Sequence, residues 1–239
     1  MTPVPSETAS ASHAIATLNE KDLHAAVKRW YAEPGDQFEV PVEGSLIDIV
    51  RGGLLIEIQT RNFSAIKRKL AKLVAHHRVR LLHPIPFEKW IIRLSPDKQS
   101  VLGRRKSPKR GRIEDLFGEL VHIPHLMPHP NFAIEVLLIQ EEEVRCQDGS
   151  HRAWRRRGWV TQERRLIEVV ARRVFETPAD VVDLVPDTLP EPFTTADMAR
   201  AMDCPRSMAQ KAAYALRGMQ AIQATGKRGN AVLYTRTQG

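Results

Sequence analysis

The spacing of apolar positions changes several times along the chain, and each change marks an element. Leu23, Val27, Trp30 and Tyr31 recur at helical spacing behind a Thr17/Glu20 capping-box pattern, and Pro34-Gly35 ends the run, which predicts a first helix. Gln37 to Gly44 alternates instead, with Phe38, Val40 and Val42 on one face and Glu39, Pro41 and Glu43 on the other; Pro41 argues for an edge or bulged strand. Between Ser45 and Thr60 two runs rich in β-branched residues flank Gly52-Gly53, a two-residue connection suited to a primed turn, so the segment predicts a β-hairpin. Phe63, Ile66, Leu70, Leu73 and Val74 return to helical spacing and leave Lys67, Arg68, Lys69 and Lys72 on the remaining surface. Val79 to Leu82 and Trp90 to Leu94 read as two strands separated by a turn at Pro84-Ile-Pro86.

The pattern then loosens. Ser95 to Arg112 holds almost nothing to bury and reads as a loop or mobile arm. Its Arg104, Arg105, Lys106, Lys109 and Arg110 suit phosphate contacts, against the alternative of a solvated linker. Ile113 to Leu120 predicts a short helix, and Phe132 to Val144 contains a strand that ends in three glutamates. A second basic cluster, His151 to Trp159, interleaves Trp154 and Trp159 with arginines, a composition open to base stacking or to partly buried anchoring. Gln162 to Phe175 predicts an amphipathic helix with Leu166, Val169, Val170 and Val174 inward. A Pro-rich linker, Val185 to Pro192, leads to a helix from Phe193 to Met202, a turn at Asp203-Cys-Pro205 and a helix from Ser207 to Met219. Two strands follow, Ala221 to Thr225 and Ala231 to Thr235, joined by Gly226 to Asn230.

The hairpin carries the candidate chemistry. With Gly52-Gly53 as the loop, Arg51 pairs with Leu54, Val50 with Leu55 and Ile49 with Ile56, so Asp48 lies opposite Glu57. Period-2 alternation sets Gln59 on the face of Glu57 and sends Ile47, Ile49, Ile56 and Ile58 to the other face. Directly opposed side chains stand roughly 4.5–5.5 Å apart at Cβ, and like charges there are destabilising unless a cation lies between them. Oxygen ligands suit a hard divalent ion, so Mg²⁺ is the expected cofactor, with Mn²⁺ able to substitute.

This arrangement, D-x8-E-x-Q on a hairpin between a helix and a basic amphipathic helix, resembles the PD-(D/E)XK nuclease superfamily in its E-x-Q form. The resemblance runs from about Leu18 to about Leu94 on a helix, three-strand, helix, strand order. It implies an α/β fold with a restriction-endonuclease-like mixed sheet flanked by helices. It also implies metal ligation by Asp48, Glu57 and the backbone carbonyl of Ile58, with Glu20 as a further acid and Glu39 as the alternative. Gln59 stands where lysine is usual; it can hold the attacking water by hydrogen bonds but cannot act as its base. Lys67, or else Lys69, is expected to supply the missing positive charge.

From about Gln162 to Arg236 the order helix, turn, helix and basic-tipped hairpin is similar to a winged helix-turn-helix. The resemblance implies a small C-terminal winged-helix domain. Its recognition helix, Arg206 to Met219, is expected to present Arg206, Ser207, Gln210, Lys211 and Tyr214, with Lys227 and Arg228 at the wing tip.

Composition narrows the partners. A net charge of +8 and a pI near 9.8 fit a polyanion, here DNA, with RNA possible. With 239 residues, 42% of them hydrophobic, the chain has enough for a proper core. No apolar run approaches the ~18 residues of a membrane span, and the N-terminus lacks a signal-peptide pattern, so a cytoplasmic protein is expected. Cys146 and Cys204 are too isolated for a disulfide framework and are expected to be buried thiols. His122, His125 and His129 approach zinc spacing, but Pro124 and Pro128 break the helix that would gather them, so a structural loop is the expectation. Phosphate-binding Gly-rich loops and a G-x-S-x-G elbow are absent from the sequence. The expected organisation is a tail at 1–17, a nuclease-like domain at 18–160 with the basic loop 95–112, and a winged-helix domain at 161–239. The expected activity is that of a Mg²⁺-dependent endodeoxyribonuclease, a homodimer because a double-strand cut needs two sites. The alternative is a catalytically inactive nuclease-fold DNA-binding regulator or scaffold.

Overall fold

The computed structural model describes residues 22–147 and 158–237. The 1–17 tail, the Thr17/Glu20 cap with its candidate ligand Glu20, and Trp154 lie outside the described residues. A first helix, α1, covers residues 22–31 and buries Leu23, Val27 and Tyr31, while Trp30 stays exposed. Next come β1 (Gln37–Val42), β2 (Ser45–Arg51), β3 (Leu54–Ile58), α2 (Phe63–Val74), β4 (Arg78–Leu94) and β5 (Val101–Lys106). A 3₁₀ turn at Ile113–Leu116, the short helix α3 (Phe117–Leu120) and a second 3₁₀ turn at Pro124–Leu126 precede β6 (Phe132–Gln147) and β7 (Trp159–Phe175). The chain continues through α4 (Pro178–Val182), α5 (Thr195–Ala201), α6 (Arg206–Gly218), β8 (Ile222–Arg228) and β9 (Ala231–Arg236).

The result is a mixed α/β protein with a large mixed sheet, ordered β1-β2-β3-β4-β6-β7 with β5 paired to β4, and a separate β8-β9 ribbon. β1, β2 and β3 pair antiparallel, whereas β3 and β4 run parallel, because α2 carries the chain back between them. The hairpin register is the expected one, Ile49 with Ile56, Val50 with Leu55 and Arg51 with Leu54. Gly52 and Gly53 both take positive φ, 53° and 84°, as a type I′ turn demands. Ile47, Ile49, Ile56 and Ile58 are all buried. β1 lies at the sheet edge with Phe38 exposed, so its apolar face is not core.

Three expected elements differ. The two strands around Pro84-Ile-Pro86 are one continuous strand, β4. Leu82 gives its carbonyl to Gln59 on the β3 side, and Pro84 and Pro86 share its parity. Their missing N–H groups therefore face a stretch where β3 has ended and β5 pairing, which opens at Trp90, has not begun. The expected loop 95–112 contains β5, a strand whose residues are all exposed and which hydrophobic periodicity could not register. The expected helix at 162–175 is strand β7 of the large sheet. Its apolar residues fit both periods, and the β-branched Val160, Thr161, Ile167, Val169, Val170 and Val174 favour the extended one. Cys146 is buried as expected, but Cys204 is partly exposed.

The described residues form two compact units. One draws on residues 22–32, Pro86–Gly111, 138–147 and 158–171; the other on Glu33–Ile85, Arg112–Leu137 and 172–237. In the second unit α6 packs against α3 and the Pro124 turn, so closely that a Cβ on Gly218 would stand 2.8 Å from Pro124 Cγ. A pyrrolidine ring cannot swing aside. Gly218→Ala is therefore expected to destabilise the fold by about 1–3 kcal/mol through overpacking, outweighing the ~0.5–1 kcal/mol that alanine ordinarily contributes in a helix. Urea unfolding measures it; an unchanged or raised midpoint would contradict the packing.

Candidate active site

The site lies in the second unit, where β2, β3 and α2 meet. One step beyond the Ile49–Ile56 pair, the register faces Asp48 with Glu57. Asp48 Oδ2 accepts the backbone N–H of Ile58 at 2.9 Å, which ties its carboxylate to β3. Glu57 is only 5% exposed. Lys69, from α2, reaches Glu57 Oε1 at 2.6 Å and also donates to the Leu46 carbonyl at 2.5 Å. Burial lifts the Glu57 carboxyl above the usual carboxylate range, the Lys69 ammonium pulls it back, and the charge of Asp48 adds to the rise.

Of the two lysines the sequence left open, Lys69 is the one at the site. Lys67 is exposed and sits near His125, whose pKa is lowered by burial and by that charge. Two residues along a helix are a rotation of about 200°, so Lys67 and Lys69 cannot serve the same point. Gln59 turns its amide N–H groups to the backbone. Its side-chain amide donates to the carbonyls of Arg61 at 2.6 Å and Asn62 at 3.4 Å, bracing the β3-α2 connection, and its backbone carbonyl accepts from His83 Nδ1 at 2.7 Å. Ile58 enters through its N–H. Glu39, the alternative ligand, falls in register with Asp48, between the Phe38–Ile49 and Val40–Ile47 pairs. Its φ of 52° breaks the extended backbone there, and its side chain is exposed. Among the described residues no three acidic, His or Cys side chains gather as a metal-binding group.

Glu119 was not foreseen. Its Oε2 accepts the Phe63 N–H at 2.9 Å and so satisfies an orphan donor at the start of α2, the helix that delivers Lys69. An acid fifty-six positions away caps that end because Asn62, at the N-cap, has left-handed backbone and makes no side-chain cap. No local sequence signal reveals this.

The expected nucleic-acid contacts divide. On α6, Arg206, Ser207, Gln210, Lys211 and Tyr214 are all exposed, with Ala209, Ala212, Ala213 and Leu216 buried behind them. Lys227 is exposed, whereas Arg228 pairs with Asp197 at 2.6 Å. Asp197 caps α5 by accepting from the Thr194 backbone and hydroxyl, and these bonds together with Arg200 and Arg228 hold its carboxyl well below the usual range. In the basic segment Arg104 pairs with Glu142, and Lys106 and Arg110 both pair with Glu88. Arg105 and Lys109 are exposed and pair with no carboxylate among the described residues.

Fold and site together define a mixed α/β protein whose sheet holds an acid pair and a lysine where β2, β3 and α2 converge. The chain belongs to the family described as Domain of unknown function (DUF8091), whose profile matches residues 21–176. It is 28% identical over 187 residues to an uncharacterized protein of Treponema pallidum (strain Nichols), a match covering 78% of this chain and 74% of the relative. No solved structure matches the chain significantly. Among the described residues no helix is long and apolar enough to cross a membrane.

Proposed function

We propose that the protein is a metal-dependent nuclease of the PD-(D/E)XK type acting on DNA, with α4 to β9 serving as a winged helix-turn-helix that holds the duplex. The observation that carries this reading is the meeting of Asp48, Glu57 and Lys69 at adjacent strands and the following helix, in the order helix, three strands, helix, strand. Two carboxylates facing each other, one of them buried, are unfavourable for folding alone and make sense as a cation site. The donor set fits Mg²⁺, which commonly takes only one or two protein carboxylates and completes its shell with water and phosphate. When bound, that ion supplies charge neutralisation at the scissile phosphate. Asp48 and Glu57 would hold it. Lys69 brings the positive charge that Gln59 lacks and can donate to a phosphate oxygen or to the attacking water. The exposed stripe of α6 and the β8-β9 hairpin provide donors for bases and phosphates. Cutting both strands needs two such sites, so the reading includes a homodimer.

A second reading, a non-cleaving nuclease-fold protein that binds DNA, draws on Lys69 already compensating Glu57 and on Gln59 being engaged with backbone carbonyls. One experiment separates them. The full chain is incubated with duplex DNA, single-stranded DNA and RNA in Mg²⁺, Mn²⁺ or EDTA. Cleavage with either ion and none in EDTA is the expected result, strongest on DNA. Duplex binding without cleavage in any metal would leave the second reading, and neither binding nor cleavage would overturn both.

A further inference from the structure

In the first unit the antiparallel pairing of β4 with β5 sorts basic residues onto opposite faces of the sheet. Trp90 stands across from Lys106 and Ile92 across from Arg104, so these four share one face. There each cation has a carboxylate partner, three cations sharing two acids. Arg104 pairs with Glu142 at 2.9 Å, Lys106 with Glu88 at 2.6 Å and Arg110 with the same carboxylate at 2.8 Å. Arg104 and Lys106 also lie over the Trp90 ring, each 5.1 Å from its centroid.

The other face differs in its charge balance. It sets Ile91 across from Arg105 and Arg93 across from Gly103, and Lys89 shares its parity. The acids it meets, Glu141 and Glu143, are buried and engaged: Lys89 pairs with both, Arg164 with Glu141 and Arg145 with Glu143. Burial acts to raise Glu143, but Arg145, Thr161 and Lys89 together hold its carboxyl far below the usual range, so it stays charged and matched. Arg93 and Arg105, both exposed, pair with no carboxylate among the described residues. Arg93 instead lies over the Trp159 ring, its Cζ 4.9 Å from the centroid. A guanidinium held by an indole is positioned without using its N–H donors, which leaves them available to a ligand at that face.

We propose that this face, centred on Arg93, Trp159 and Arg105, is a further nucleic-acid contact surface that grips the sugar-phosphate backbone. Phosphate oxygens match the guanidinium fork, and the excess positive charge has no other occupant of the right sign among the described residues. The proposal deepens the nucleic-acid reading given above and is independent of catalysis.

The test is binding of the full chain to fluorescent duplex DNA, single-stranded DNA and RNA, with salt varied between about 50 and 200 mM. Arg93→Gln with Arg105→Gln is expected to weaken binding about tenfold and to lower the salt slope by about two. Arg93→Lys, which keeps the charge but loses the guanidinium over Trp159, should fall between wild type and the double variant. Arg165→Gln, which removes an exposed arginine paired with Glu163, is the charge-matched control and should bind within about twofold of wild type. Thermal melts check that each variant folds, and Arg105→Gln alone gives a substitution at an exposed position. Wild-type affinity in the double variant, with weakened binding in Lys211→Ala, would overturn this surface and leave the α6 reading standing. Weakened binding in the double variant with no cleavage by wild type would support the surface and defeat the nuclease reading. If wild type binds none of the three probes, both fall.

Discussion

Asp48→Asn and Glu57→Gln are each expected to lower Mg²⁺-dependent DNA cleavage by about 10³-fold or more, the equivalent of about 4 kcal/mol of transition-state stabilisation. The substitutions are chosen for geometry. An asparagine in place of Asp48 keeps an oxygen that can accept the Ile58 N–H, now bound by Asp48 Oδ2 at 2.9 Å, whereas alanine would leave a buried donor unmatched at a cost of about 1–3 kcal/mol. A glutamine in place of Glu57 fills the same buried volume without a charge. Under the nuclease reading, affinity for the duplex in EDTA should be unchanged or up to about threefold tighter, since each variant removes a negative charge from the site proposed to meet phosphate. Mg²⁺ should raise the melting temperature of wild type and not of either variant, a readout that does not depend on turnover. Wild-type cleavage rates in both purified variants would remove Asp48 and Glu57 from the chemistry.

The acid pair was legible in the sequence because a two-glycine loop admits few registers and alternation then fixes every facing pair. The same logic failed where pairing was decided by something other than apolar period. β5 is held against β4 by a ladder and by cations placed on Trp90, Glu88 and Glu142, none of which leaves a hydrophobic trace. β7 carries apolar spacing that a helix would also satisfy, and only its β-branched content separates the two. Lys69 could not be preferred over Lys67 until the rotation of α2 about its axis was known. That rotation is set by Phe63, Leu70, Leu73 and Val74, all buried.

A physical connection joins the two ends of the second unit. Glu119 of α3 caps α2, which carries Lys69, and the neighbouring Gly118 lies 3.9 Å, measured from the position of a Cβ, from the Met208 methyl of α6. The Arg112 guanidinium donates to the carbonyls of Met202 and Asp203 at 3.1 Å each, fastening the turn before α6. The helix proposed to read nucleic acid and the helix that delivers the site lysine thus share one support. Under the nuclease reading, this support sets where cleavage falls relative to the bound sequence.

Lys69→Met carries the largest expected effect on stability. It removes the ammonium 2.6 Å from a buried carboxylate and puts an apolar chain of similar length in its place. Breaking such a pair from one side is expected to cost about 2–4 kcal/mol at neutral pH, a little under the cost for a fully buried pair because Lys69 itself is 23% exposed. The loss must depend on pH, and its sign follows from Glu57. Burial and the charge of Asp48 raise its pKa in the folded state, and without Lys69 nothing on α2 opposes them. The folded variant then binds more protons than the unfolded chain from the ordinary glutamate value upward. Stability is therefore full below that value and falls as pH rises through the raised one. Urea unfolding at acid and at neutral pH should show Lys69→Met converging on wild type at the acid end and falling away at the neutral end. The double variant Lys69→Met with Glu57→Gln has no buried charge to strand, so it should recover most of the loss and lose the pH dependence. A loss of equal size at every pH, or one left unchanged by Glu57→Gln, would mean that Lys69 acts through packing alone and that Glu57 is not the charge it compensates.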